Sequence, residues 1–235
     1  MKINLTEKQK KLDTDNWIIA LVTGGIFMVY ALMGNQFMKY ITDNNQPIIL
    51  RLLLSAVIQF GIAGLGISIV CLLRKERFSL FGLTKQNTVK SILGAVISFI
   101  PYLCYIFISG QYEGYRPFSI LVTNDVLNSG FPVNILGLAI IVIVWGFFEG
   151  FNYAVISDKL SKRYPTKSKW LDIGAITCAM VCILFHPFNT SFWGIVEIVT
   201  TFIAIYGMLI VKKQQSTWLY AIRKSFYFFR NLDGQ

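Results

Sequence analysis

Six apolar runs, near residues 17–34, 52–73, 91–109, 134–156, 170–187 and 193–211, dominate this chain. Each is close to the roughly 20 apolar residues that a membrane-spanning helix requires. Between them lie short polar segments that carry most of the charge. Hydrophobic residues make up 54% of the 235 positions and charged residues only 14%, against about 25% charged in soluble domains. That balance argues against a soluble enzyme with one core, a disordered regulator and a disulfide scaffold. The expected fold class is therefore all-α: a polytopic membrane helix bundle of six transmembrane helices.

The formal charge of +10 would suggest nucleic acid in a soluble protein. Here the cations sit between apolar runs rather than on one face, so no nucleic-acid partner is expected. Their distribution sets the orientation instead. The N-terminus (Lys2, Lys8, Lys10, Lys11), the second loop (Arg74, Lys75, Arg77, Lys85, Lys90), the fourth loop (Lys159, Lys162, Arg163, Lys167, Lys169) and the tail (Lys212, Lys213, Arg223, Lys224, Arg230) are basic. The alternate loops hold only Lys39 and Arg116, with Arg51 at a span entrance. This alternation is what positive-inside insertion produces, and it predicts both termini in the cytoplasm. The lipid bilayer is the expected partner, in an integral protein of the plasma (cell) membrane.

Three regions follow: a polar cytoplasmic N-terminus over 1–16, a transmembrane domain over 17–211 and a basic-aromatic tail over 212–235. Residues 1–16 lack the apolar core and cleavage site of a signal peptide, so the first span is expected to be retained. In the tail, Trp218, Ile222, Phe226 and Phe229 fall on one helical face and Arg223 and Lys224 off it. That pattern predicts an interfacial amphipathic segment rather than a seventh span. Cys71, Cys104, Cys178 and Cys182 all lie inside apolar runs and read as buried packing thiols.

A charged group at the centre of a span costs on the order of 2.5–3.5 kcal/mol on insertion, so ionisable residues there are candidates for function. Glu149 lies inside the fourth run in F-F-E-G-F-N-Y-A, with Asn152 one turn on and on the same side. A carboxylate held there can act as a general base or acid, or be a structural group satisfied by neighbouring amides, hydroxyls or water. His186, the only histidine, closes the fifth run in F-H-P-F-N, ahead of Pro187 and Asn189. It reads either as a functional imidazole or as a helix-end group bonded to a backbone carbonyl. A lone histidine cannot build a protein-only zinc site unless carboxylates complete it. Glu197 offers a structural alternative, paired with His186 or Arg51 at the outer rim. Walker-type, G-x-S-x-G and H-E-x-x-H strings do not occur.

The order of these features resembles the CPBP family, the CAAX-protease and bacteriocin-processing membrane proteins. R-F-S-L-F-G-L-T (77–84), F-F-E-G-F-N-Y-A, a span ending in F-H, then Y-G-M-L-I-V-K-K and S-T-W-L-Y-A-I carry the likeness, over a core of about 77–222. The resemblance implies an intramembrane endopeptidase cleaving membrane-associated peptides or protein tails. Glu149 matches the first family glutamate as the catalytic base, and His186 matches the first histidine. It also implies a divalent metal such as zinc, with His186 as candidate ligand and Asn152 and Asn189 as supporting polar groups. Gly150 stands where the second glutamate belongs, Ala154 where the arginine belongs, and no second histidine follows. These departures are those of a chain truncated or diverged at its C-terminal end, or of a non-catalytic relative, for instance in peptide binding or bacteriocin immunity. A small membrane transporter subunit is the third class, with Glu149 as a proton or cation site.

Overall fold

The computed structural model describes residues 5–81, 88–110, 120–168, 170–184 and 190–214. All regular structure among them is helical: α1 (Glu7–Thr42), α2 (Ile48–Phe60), α3 (Gly66–Arg74), α4 (Thr88–Ile108), α5 (Thr123–Asn128), α6 (Val133–Ile141), α7 (Glu149–Arg163), α8 (Ile173–Leu184) and α9 (Phe192–Gln214). Five-residue and seven-residue π-helical segments, Gly61–Leu65 and Val142–Phe148, join α2 to α3 and α6 to α7. Four continuous helices are long and apolar enough to cross a membrane: Glu7–Thr42, Ile48–Arg74, Val133–Arg163 and Phe192–Val211. Ile92–Ile108 and Ile173–Leu184 are apolar but shorter. The protein is therefore an all-helical polytopic chain with the makings of an integral membrane protein.

The first helix differs from its sequence outline. The apolar run begins at Trp17, yet α1 starts ten residues earlier and continues to Thr42, 36 residues in all. At 1.5 Å per residue it is about 54 Å long, well beyond the roughly 30 Å of hydrocarbon. The polar stretch Glu7–Asn16 is thus part of the same helix as the apolar run. Thr6 starts it: its hydroxyl accepts the Gln9 N–H at 3.2 Å while the Gln9 side chain accepts the Thr6 N–H at 3.0 Å, a reciprocal cap.

The chain divides into two units. The first takes Met1–Asn16, Arg77–Tyr115 and Tyr153–Tyr220. Its core gathers small and sulfur-bearing residues, among them Ala175, Cys178, Ala179 and Cys182 of α8, with Ile205, Met208 and Leu209 of α9. Helices α4 and α9 run antiparallel and very close. A Cβ on Gly94 would stand 2.8 Å from Val211 methyls, and one on Gly207 would stand 2.5 Å from the Ser98 hydroxyl. Asp172 starts α8: its carboxylate accepts the Ala175 N–H at 2.7 Å and the Ser161 hydroxyl at 2.6 Å.

The same unit buries charge. Lys159 of α7 is 1% exposed and pairs with Asp15 of α1 at 2.9 Å, its ammonium also 5.7 Å from the centre of the Phe81 ring. Four residues on, Arg163 pairs with Asp13 at 2.6 Å. The i, i+4 spacing on α7 and the i, i+2 spacing on α1 together make a two-rung clasp.

The second unit takes Trp17–Glu76, Arg116–Asn152 and Ala221–Gln235. Its core is aliphatic and aromatic: Ile41, Leu52, Ala56, Ile120, Val122, Val126, Ile141 and Trp145. The turn between α1 and α2 is set by Asp43, whose carboxylate accepts the Asn45 N–H at 2.9 Å, and by Pro47 immediately ahead of α2. Arg51, expected at a span entrance, is buried on α2; it donates to the Ile41 carbonyl at 2.5 Å and to Asp125 at 2.7 Å. Cys71, Cys178 and Cys182 are buried as expected, whereas Cys104 is exposed on α4. An apolar run only says that a thiol lies in a helix; in a membrane the outward face is as apolar as the inward one.

Candidate functional site

Glu149 opens α7 directly after the π-helical segment Val142–Phe148, and is 5% exposed. A π-turn hydrogen-bonds i to i+5 instead of i to i+4, so it holds extra backbone and re-aims the side chains that follow it. Such turns are frequent at functional sites. The carboxylate that sequence reasoning singles out thus sits where the helix departs from α geometry.

The Gln59 side chain donates its Nε2–H to Glu149 Oε2 at 3.2 Å. Gln59 is one residue from the end of α2, and the second π-segment, Gly61–Leu65, follows at once. The two π-segments pack against each other. Phe60 and Phe148 meet edge to face across this contact, ring centres 4.9 Å apart and planes at 84°. A Cβ at Gly64 would come within 2.4 Å of the Phe60 ring and 3.2 Å of the Phe148 ring, so the aromatic pair occupies the space that glycine leaves. From α1, the Thr23 hydroxyl donates to the Ile62 carbonyl at 2.9 Å, taking up an acceptor inside the π-segment.

These contacts give the site its chemistry. Phe147, Phe148 and Phe151 surround Glu149 in sequence, with Phe147 and Phe151 stacked 5.4 Å apart. Asn152, expected beside Glu149, is buried one turn away. A carboxylate held by an amide N–H in an aromatic setting keeps a fixed orientation while remaining a proton acceptor. Gln59 is the residue that sequence reasoning missed. Its signal is the same as that of Glu149: a lone hydrogen-bonding side chain in an apolar run, S-A-V-I-Q-F.

His186 and Asn189 lie outside the described residues, as do the last part of the basic-aromatic tail and its predicted interfacial segment. Of the alternative pairings for Glu197, Arg51 instead donates to Asp125 and the Ile41 carbonyl, and Glu197 accepts the Tyr105 hydroxyl at 3.2 Å. Among the described residues no group of three His, Cys, Asp or Glu side chains gathers to hold a metal ion, and one partner of Glu149 is an amide donating its N–H. The described side chains alone do not fit a zinc donor set.

Comparison with family models, with curated proteins and with solved structures gives no match for this chain.

Proposed function

We propose that the chain is a six-span protein of the cell membrane with both termini in the cytoplasm and a CPBP-like core, working as an intramembrane endopeptidase on membrane-associated peptides. The observation that carries this reading is the burial of Glu149 at the end of a π-turn with its carboxylate held by Gln59. The alternation of basic segments supports the orientation. The apolar but shorter helices Ile92–Ile108 and Ile173–Leu184 are the candidates for the third and fifth spans in this reading.

In this reading Glu149 takes a proton from a water molecule as that water's oxygen attacks the scissile carbonyl. The tetrahedral intermediate then collapses as the carboxylic acid returns the proton to the leaving amine nitrogen. Gln59 fixes the carboxylate so that reorganisation during proton transfer is small. The resemblance assigns His186 to orienting that water or stabilising the oxyanion.

A second reading has its own support. Gly150 and Ala154 remove the second carboxylate and the guanidinium of the family pattern, which suits a relative that binds a membrane peptide without cutting it. One experiment separates the two. Purified protein in nanodiscs is incubated with quenched prenyl-motif and leader peptides, alongside Glu149→Ala and Glu149→Gln. Cleavage lost in both variants supports the peptidase. Peptide binding without cleavage, unchanged in Glu149→Gln, supports the non-catalytic reading and overturns the first.

A further inference from the structure

The segment that joins α7 to α8 in the first unit, residues 164–172, reads Y-P-T-K-S-K-W-L-D. Its backbone is tied down around Trp170 and Leu171. The Ser168 hydroxyl oxygen accepts the N–H groups of both residues, each at 3.2 Å. Serine favours such side-chain turns because its oxygen reaches the backbone a few residues on. The Thr166 hydroxyl donates to the Leu171 carbonyl, and the Tyr206 hydroxyl of α9 donates to the Trp170 carbonyl. Tyr206 is itself braced by the stacked ring of Phe202, 5.8 Å away. The N–H and C=O groups of Trp170 and Leu171 are thus satisfied within the protein.

The side chains of the same two residues are left uncovered. Trp170 is 73% exposed and Leu171 52%, and Ile173 at the start of α8 is exposed as well. A segment whose own N–H and C=O groups are paired can approach a medium poor in water, which an ordinary loop cannot do without cost. The charge on its surface has one sign. Lys167 is exposed, whereas the sole acid of the segment, Asp172, is buried, capping α8 and accepting the Ser161 hydroxyl. The preceding cations on α7 are already matched, Lys162 by Asp158 and Arg163 by Asp13.

We infer that this loop is an anchor for anionic lipid. Trp170 and Leu171 sit at the boundary between headgroups and acyl chains, and Lys167 meets the lipid phosphate. Tryptophan suits that level because its ring is apolar while its N–H is polar. Basic residues beside a membrane surface attract acidic headgroups. A protein partner is the poorer match, since three exposed side chains offer far less than the roughly 800 Å² per side of a stable interface. The inference rests on the chain lying in a bilayer. It depends neither on the peptidase reading nor on the side of the membrane that the loop faces.

Quenching of tryptophan fluorescence tests it, with the full chain in nanodiscs of phosphatidylcholine and phosphatidylglycerol in equal amounts. The Trp170 signal is the difference between the unaltered protein and Trp170→Phe, a change that leaves the backbone hydrogen bonds in place. A nitroxide at headgroup level should quench this signal strongly, and a nitroxide at the acyl terminus or aqueous acrylamide only weakly. With bromine on the phosphatidylglycerol chains, quenching should exceed that with bromine on phosphatidylcholine by about twofold or more, and Lys167→Gln should bring the two towards equality. A Trp170 signal quenched by acrylamide and by neither nitroxide places the loop in water and overturns the proposal. So does stronger quenching by the deep nitroxide than by the shallow one, or equal quenching by the two brominated lipids. The tryptophans remaining in Trp170→Phe report separately on the membrane reading: if lipid quenchers reach them but not Trp170, the spans stand and the anchor alone fails.

Discussion

Two regions of the molecule bury acidic groups in opposite ways. In the clasp of the first unit, Asp15 and Asp13 meet Lys159 and Arg163, charge against charge. In the second unit, Glu149 is held by the amide of Gln59 amid phenylalanines, beside two helical segments that depart from α geometry. The first arrangement consumes the charge in holding helices together. The second includes an amide donor, Gln59, on its carboxylate. In the proposed reading the clasp is a fastening and the π-turn carboxylate a tool, a distinction that substitutions can break or sharpen.

The largest expected effect is on activity: Glu149→Ala should lower peptide cleavage by about 10²–10⁴-fold, the usual range for removing a general base. Its unfolding midpoint should stay near that of the unaltered protein, and a large loss of stability instead would move Glu149 into the structural class. Lys159→Met should do the reverse. Leaving Asp15 buried without its partner should cost about 3–5 kcal/mol, read by denaturant unfolding in detergent, while Asp15→Leu with Lys159→Met recovers most of it. Gly64→Ala pushes a methyl group into the Phe60 and Phe148 rings and should cost about 1–3 kcal/mol, with cleavage falling alongside because Gln59 shifts. Thr23→Val removes one interhelical hydrogen bond and should cost about 0.6 kcal/mol, typical of such bonds in a membrane.

The smallest effect concerns pH. The Asn45 backbone N–H, helped by the Gln46 side chain, holds the exposed Asp43 carboxyl below its ordinary value of 3.8. A depressed folded-state value contributes stability above the unfolded value, lost as pH falls through the folded one. Asp43→Asn should therefore cost a little stability at neutral pH, with the deficit shrinking as pH falls below about 4, as unfolding series at both pH values would show.

How much of this could be read in advance depends on which physical signal each feature leaves. Apolar runs mark helices because a span must satisfy its own backbone, so α2–α3, α6–α7 and α9 fall close to their expected positions. Glu149 stands out because ionisable groups in such runs are rare. The real extent of α1 does not, since hydropathy registers where lipid begins rather than where a helix begins. The clasp is hidden for a related reason. Asp13 and Asp15 look like ordinary polar residues, and their partners lie about 150 positions away. The π-segments leave no periodicity signal either, because both faces of those helices are apolar.

The separation of Asp15 and Lys159 also orders the making of the protein. The ribosome delivers the first turns of α1 long before α7 exists, so the two rungs close only after every intervening helix has been inserted. Until then two carboxylates wait without their cations. A chain that stalls midway is therefore left with the first turns of α1 unlatched.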